Sequence, residues 1–211
     1  RSALQEAEAS VLVDFTAPDQ VMGNVTTALE LGLHCVVGTT GVSSREWMEL
    51  DRMARSRGLG VLVVPNFSIG AVLMMRFARE AARYMPHVEI VELHHDQKKD
   101  APSGTAVMTA QMLADVVAEA LEQQEGPATA KPAVSAPARG AAYGPVQVHS
   151  VRLPGLVAHQ EVLFGGPGQV LSIRHDAMSR ECFMSGVVLA IRRVSQMPGV
   201  TIGLEPLLFP A

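Results

Sequence analysis

Cysteine is almost missing from this chain. Of 211 residues only Cys35 and Cys182 carry a thiol; they lie far apart and neither belongs to a CxxC pair. That argues against a disulfide framework and a structural zinc site, and points to a reducing cytoplasmic setting. Positive charge is also short: 17 Lys and Arg against 21 Asp and Glu leave a formal charge of −4, with no basic run. No nucleic-acid partner is expected from such a surface. No apolar run approaches the roughly 18 to 20 residues that a membrane span needs, so no membrane partner is expected either. The opening RSALQEAEAS is polar and charged, which predicts no signal peptide. The chain starts on Arg1 rather than Met, and the expectation is that an upstream part of the molecule lies outside it. The glycine-rich pyrophosphate loop G-x-G-x-x-G is absent, and no internal repeat is visible.

What is present suits an ordinary globular protein: 48% hydrophobic and 18% charged residues, with length for one large domain or two small ones. The first third alternates strand and helix signals. VLVDF (11–15) reads as a buried strand, and 18–31 as a helix with Pro18 in its first turn and Gly32 at its end. LHCVV (33–37) is the next strand and runs into GTTG. Ser43 or Ser44 caps a helix to about Arg57, closed by Gly58, and GVLVV (60–64) is a third strand ending in Pro65-Asn66-Phe67. This spacing predicts parallel βαβ units.

A helix over about 69–85 follows, then a strand VEIVELHH (88–95) and a helix from Thr105 to about Gln123. Residues 125–145, rich in Pro, Ala and Gly, read as a mobile loop. Three strand-like segments near 146–153, 156–164 and 169–175 read as an antiparallel meander. Its apolar face, rich in Val, Leu and Ile, calls for a partner. A last helix (181–196) leads into a terminal strand, VTIGL (200–204).

The chemistry concentrates in ELHHDQKKDAPSGTA (92–106). Side chains alternate along a strand, so His94 and His95 point to opposite sides and do not chelate one metal together; no metal is expected. Each is free for a separate task, one on a reacting proton and one on a substrate group. Lys98 and Lys99 follow within a turn. Ser103-Gly104-Thr105 then opens a helix, where free N–H groups and the helix dipole favour an anion. A helix cap alone does not call for Gly104. Lysine, imidazoles and an N–H cradle together suit a small carboxylate. Elsewhere, the three early strands end in DFT, GTTG and PNF, short turns whose backbone can approach a flat ligand at the carboxyl edge of a parallel sheet.

HHDQKKDAPSGT resembles the signature of the 4-hydroxy-tetrahydrodipicolinate reductase family, also called dihydrodipicolinate reductases. VDFTAPDQV, VVGTTG, PNFSIGAVL, VRLPGLVAHQEVLF, SIRHDAMSRECF and GLEPLL resemble successive family segments in the same order, so the resemblance covers nearly the whole chain. It implies an α/β fold: a Rossmann-type dinucleotide-binding domain, incomplete at its N-terminus, from 1–66 and 181–211. A substrate-binding and tetramerising α+β domain with an open mixed sheet is expected from 67–180. The implied reaction takes a hydride from NADH or NADPH to a cyclic, unsaturated dicarboxylate, and the resulting enamine-like anion takes up a proton. His94 and Lys98 match the family's proton-donor positions. His95, Ser103, Gly104 and Thr105 match positions around the substrate carboxylate. Gly38, Thr39 and Thr40 match residues beside the nicotinamide, as do Val64, Pro65, Asn66 and Phe67. Arg180 matches a family position without an assigned role. Family members open with the pyrophosphate loop that this chain lacks, so weakened dinucleotide binding is expected. Two other readings compete: another two-domain amino-acid-pathway dehydrogenase, and a catalytically inert fragment that persists as an oligomerising module.

Overall fold

A computed structural model describes residues 1–125 and 137–210. In chain order the elements are α1 (Ser2–Glu6), β1 (Val11–Asp14), α2 (Pro18–Glu30), β2 (His34–Val37), α3 (Ser44–Ser56), β3 (Gly60–Val63), α4 (Ile69–Ala82) and β4 (His87–His94). They continue with α5 (Gly104–Glu125), β5 (Ala141–Tyr143), β6 (Val146–Arg152), β7 (Ala158–Gly166), β8 (Gln169–Ala177), α6 (Met184–Arg193), β9 (Gly199–Ile202) and α7 (Glu205–Leu208). The chain divides into two compact units, Arg1–Ile69 with Glu181–Ala211, and Gly70–Arg180. Among the described residues no helix is long and apolar enough to cross a membrane.

The first unit is a parallel sheet in the order β1-β2-β3-β9. Its strands are short apolar runs, and β3 is buried along its whole length. Alternation sends Cys35, Val37, Val61 and Val63 to one face, where they pack with Val21, Val25, Ala28 and Leu29 of α2 and Leu50 and Ala54 of α3. Local chemistry sets the ends of these helices. Pro18 opens α2, and Gly32, with φ of 81°, follows its end. Ser43, not Ser44, caps α3: its hydroxyl accepts from Glu46 N–H, and the Glu46 carboxylate accepts from Ser43 N–H.

The second unit is a mixed sheet in the order β5-β6-β4-β7-β8. Val88 and Ile90 of β4, Val146 and Val148 of β6, and Val162 and Phe164 of β7 form a core with α4 and α5. The expected meander is overturned. β7 and β8 form an antiparallel hairpin, but β4 lies between β6 and β7, parallel to the first and antiparallel to the second. The reason is reach: next-but-one strands lie roughly 10 Å apart, and the short 153–157 link easily steps over one strand. Leu153 N–H donates to the His94 carbonyl as the link crosses the end of β4. Three further features were not foreseen. α1 forms at the polar start, α5 begins at Gly104 rather than Thr105, and β5 pairs with β6 within the 125–145 stretch expected to be loop. Residues 126–136 of that stretch lie outside the described residues. The last helix, expected over 181–196, is α6 flanked by single 3₁₀ turns at Arg180–Phe183 and Val194–Gln196.

One glycine holds the third strand end against α6. A Cβ on Gly186 would sit 2.0 Å from the Phe67 carbonyl oxygen, a backbone atom that cannot swing away. Gly186→Ala is expected to destabilise the protein by about 1–3 kcal/mol through overpacking. Gly23→Ala on the exposed side of α2, where an added Cβ meets nothing within 4 Å, is expected to stabilise it by roughly 0.5–1 kcal/mol. Denaturant midpoints of the two variants check both signs; equal midpoints would contradict the packing argument.

Candidate active site

In the second unit the site grows from the end of β4. Residues 88, 90 and 92 share the face that meets the helices, so the period that buries Val88 and Ile90 also buries a carboxylate, Glu92, with no exposure. His94, two residues on, lies on the same face. Glu92 is not left unpaired. Arg152, directly opposite His94 in the β4–β6 register, donates Nη1 to Oε2 at 2.9 Å and Nη2 to Oε1 at 2.8 Å. Ser103 N–H donates to Oε1 at 3.2 Å, and His94 Nδ1 lies 2.5 Å from Oε2. Burial pushes the Glu92 carboxyl up, but hydrogen bonds from His94, Arg152 and Ser150 and the Arg152 charge outweigh it and bring the pKa down to about 2. Arg152 Nη2 also donates to the Asp100 carbonyl at 2.7 Å, tying the loop that follows to the same cation.

That loop presents the remaining groups. Lys98 N–H closes a turn on the His95 carbonyl, leaving His95 exposed and Lys98 half-buried. Lys98 Nζ is held by Asp100 at 2.7 and 2.8 Å, and this hydrogen bond keeps the Asp100 carboxyl below its usual range. Ser103 is buried, and its hydroxyl accepts from Ala106 N–H, so it caps α5. Gly104 and half-buried Thr105 form the first turn. A Cβ on Gly104 would meet nothing within 4 Å, so no neighbouring atom demands glycine there. His94 at the end of β4, His95 and Lys98 in the loop after it, and the α5 N-terminus thus follow one another within one short stretch. The set offers a proton carrier, positive charge and N–H groups to an anionic molecule.

In the first unit the carboxyl ends of β1 and β2 are tied by Asp14. Its buried carboxylate accepts from Thr16 N–H (3.0 Å), the Thr16 hydroxyl (2.8 Å) and the Asn24 amide (2.8 Å). Burial opposes ionisation, yet these bonds and one from Thr39 hold its pKa below the usual value. Thr39 is buried, donating its hydroxyl to the Thr16 carbonyl at 3.1 Å, while Thr40 is exposed. The bare backbone of Gly38 receives the Phe15 ring, whose Cε1 would lie 2.2 Å from an added Cβ. Phe15 is 57% exposed and stacks at a tilt on Phe67, with centroids 5.3 Å apart. At the third end Val64 and Phe67 are buried and Pro65 is exposed, and Asn66 accepts from Ser68 N–H at 2.9 Å. An exposed aromatic ring beside glycine and threonine backbone fits the ring end of a dinucleotide.

Reading the sequence missed the residues that organise both places. Glu92 stood inside the stretch singled out, and its place in the 88-90-92 rhythm was the available signal. Arg152 gave none, because only the strand register carries it to Glu92. Asp14 stood at the end of an expected strand and Asn24 inside the helix expected over 18–31, and neither carried a signal of its own. Arg180 is exposed at the start of a 3₁₀ turn, and its placement assigns it no task.

Two family models match this chain: dihydrodipicolinate reductase, N-terminus, over residues 1–67, and dihydrodipicolinate reductase, C-terminus, over 70–208. The 4-hydroxy-tetrahydrodipicolinate reductase of Moorella thermoacetica is 53% identical over 207 residues, covering 97% of this chain and 75% of the relative. That of Synechococcus elongatus is 50% identical over 208 residues, covering 98% and 74%. Among solved structures, a dipicolinate-bound dihydrodipicolinate reductase from Paenisporosarcina sp. TG-14 aligns with a TM-score of 0.83 and 46% identity, covering 97% of this chain and 76% of that one. An amine dehydrogenase from Mycobacterium smegmatis, 14% identical with a TM-score of 0.53, shares the fold alone.

The Glu92 cluster carries a pH signature. Its pKa falls from 4.5 to about 2 on folding, so its share of stability is complete above pH 4.5 and is lost as pH drops from there towards 2. A shift of that size is worth roughly 3 kcal/mol. Arg152→Met removes the fork that holds the carboxylate ionised and so raises its folded pKa; the variant is expected to be less stable at pH 6 and to lose less stability than the wild type between pH 4.5 and 2.5. Urea midpoints measured from pH 6 to pH 2.5 check it; parallel profiles for the two proteins would contradict it.

Proposed function

Because the chain belongs to the dihydrodipicolinate reductase family, we propose a division of labour between its residues for that family's reaction. The protein reduces 4-hydroxy-tetrahydrodipicolinate to tetrahydrodipicolinate in diaminopimelate and lysine biosynthesis, with NADH or NADPH as reductant. We read the unit Arg1–Ile69 with Glu181–Ala211 as the dinucleotide-binding domain and Gly70–Arg180 as the substrate-binding domain. In the first, Gly38, Thr39, Thr40 and the turn from Val64 to Phe67 hold the nicotinamide end, with Thr39 acting through the hydroxyl bond that fixes its loop. The dinucleotide supplies the hydride.

In the second, the substrate carboxylate rests at the N-terminus of α5, on Gly104 and Thr105, with Ser103 holding that terminus in place and His95 beside it. His94 delivers the proton that the electron-rich product of hydride addition requires. Lys98 supplies positive charge as that intermediate forms, releasing Asp100 to do so. The observation that carries this reading is the gathering of His94, Lys98 and the opening turn of α5 around the end of one strand. The dipicolinate bound by the Paenisporosarcina enzyme supports a cyclic dicarboxylate as the ligand.

His94→Gln and Lys98→Ala are each expected to lower kcat by about 10²–10⁴-fold, with affinity for NADH or NADPH little changed. Steady-state kinetics together with a nucleotide titration test this, and an undiminished kcat removes the residue concerned from the mechanism.

We further propose a homotetramer, working in the cytoplasm, assembled through the sheet face turned away from α4 and α5. That face carries Val91, Leu93, Val151 and Leu163, none of them among the buried residues. Around them stand two charged groups, Glu89 with His149 and Arg139, and Glu161 with Arg174 and Asp176. An apolar strip bounded by ion pairs suits a self-complementary interface. Light scattering at micromolar concentration is expected to give a tetrameric mass, and Leu93→Asp a smaller one; a monomeric wild type would end this reading.

A further inference from the structure

The contact between Glu92 and His94 is directional. An ionised carboxylate only accepts hydrogen bonds, so an imidazole nitrogen 2.5 Å from Glu92 Oε2 must be the one bearing a proton. Each Glu92 oxygen also serves another donor, and the Ser150 hydroxyl donates to the same carboxylate. Oε1 accepts from Ser103 N–H and Arg152 Nη2, and Oε2 accepts from Arg152 Nη1. The carboxylate is fully buried and Arg152 is held by the Asp100 carbonyl as well, so neither partner is free to turn away. The cluster therefore presents His94 in a fixed orientation and a fixed tautomer.

We propose that Glu92 is a positioning residue for the reduction: it holds His94 through Nδ1–H, so that the proton exchanged with the substrate is the one on Nε2. This rests on the reading of His94 as proton donor and deepens it. When the Nε2 proton leaves, the bond between Nε2 and hydrogen breaks and a bond to the substrate forms. The neutral ring that remains keeps its proton on Nδ1, and Glu92 stays ionised. Arg152 acts one step further back, fixing the carboxylate that fixes the ring.

The pattern of donors makes a specific statement about Glu92→Gln. The amide oxygen must take the Oε1 place, facing Ser103 N–H and Arg152 Nη2. The amide NH₂ then falls in the Oε2 place beside another donor, Arg152 Nη1. The Ser150 hydroxyl, which donates to the carboxylate in the wild type, is able to accept one amide hydrogen, and the amide donates the other to His94 Nδ1. That reverses the tautomer and moves the neutral ring's proton to Nε2, with little change in shape. A role in folding alone would not produce this reversal.

The test is nitrogen NMR of ring-labelled protein, with the His94 signals assigned by their loss in His94→Gln. In the wild type, at a pH where the ring is neutral, Nδ1 is expected to be the protonated nitrogen and Nε2 the bare one. In Glu92→Gln the two exchange, and kcat falls by roughly 10²-fold or more, as expected when a general acid is held in the wrong tautomer. Dipicolinate affinity stays close to wild type, since the start of α5 is still held by the amide oxygen. Arg152→Lys keeps the carboxylate ionised and is expected to keep the Nδ1–H tautomer. If Glu92→Gln does not fold, the wild-type spectrum decides alone: a proton on Nε2 in the neutral ring overturns the proposal. So does wild-type kcat in a folded Glu92→Gln. Failure of the His94 assignment itself is read separately, from the kcat of His94→Gln.

Discussion

The second unit depends on a carboxylate sealed from water at the end of its central strand. Glu92 sits where another Val or Ile would continue the apolar rhythm of β4, and a lone charge there would be strongly unfavourable. It is tolerated because Arg152, Ser103 N–H and His94 converge on it. A buried ion pair of this kind adds little net stability over well-packed apolar residues. What it fixes is arrangement. The β4–β6 register must set Arg152 opposite His94, and a slip of one residue would turn Arg152 to the other face. α5 must begin where Ser103 N–H reaches Oε1, and the 95–103 loop must pass where the Asp100 carbonyl meets Arg152.

The first unit answers the same geometric problem with different chemistry. Asp14 also ends a strand and is also buried, but its partners are hydroxyls, an amide and a backbone N–H. None of these titrates near neutral pH, so the cluster acts as a rigid brace between the ends of β1 and β2. Glu92 is bound instead to a permanent cation and to an imidazole, a group able to change protonation near pH 7. One carboxylate holds backbone turns still. The other holds an imidazole in place.

Much of the fold was legible in the chain because its signals are local. The capping box of Ser43 and Glu46, Pro18 at the start of α2 and the apolar runs of β1 to β3 each depend on neighbours within a few residues. The stretch from His94 to Thr105 was legible for the same reason: strand end, loop and helix start are continuous, so its groups stand close wherever the rest of the chain goes. The strand order of the second sheet was not. Successive strand-like runs suggest a meander, and nothing near residues 153–157 says that they step across β4.

The sequence by itself determined the alternation of strand and helix, the family and the short stretch that bears His94, His95 and Lys98. Those are matters of local propensity and contiguous spacing, and they survive without knowledge of long-range partners. Only the tertiary structure decided which charged side chains are structural. Arg152 reaches Glu92 across 60 residues, and Asn24 and Thr39 reach Asp14 across 10 and 25. A buried carboxylate and an exposed one are the same letter in a sequence. Their difference lies in solvent exclusion and in the donors that register and packing bring within hydrogen-bond reach, which no local pattern encodes.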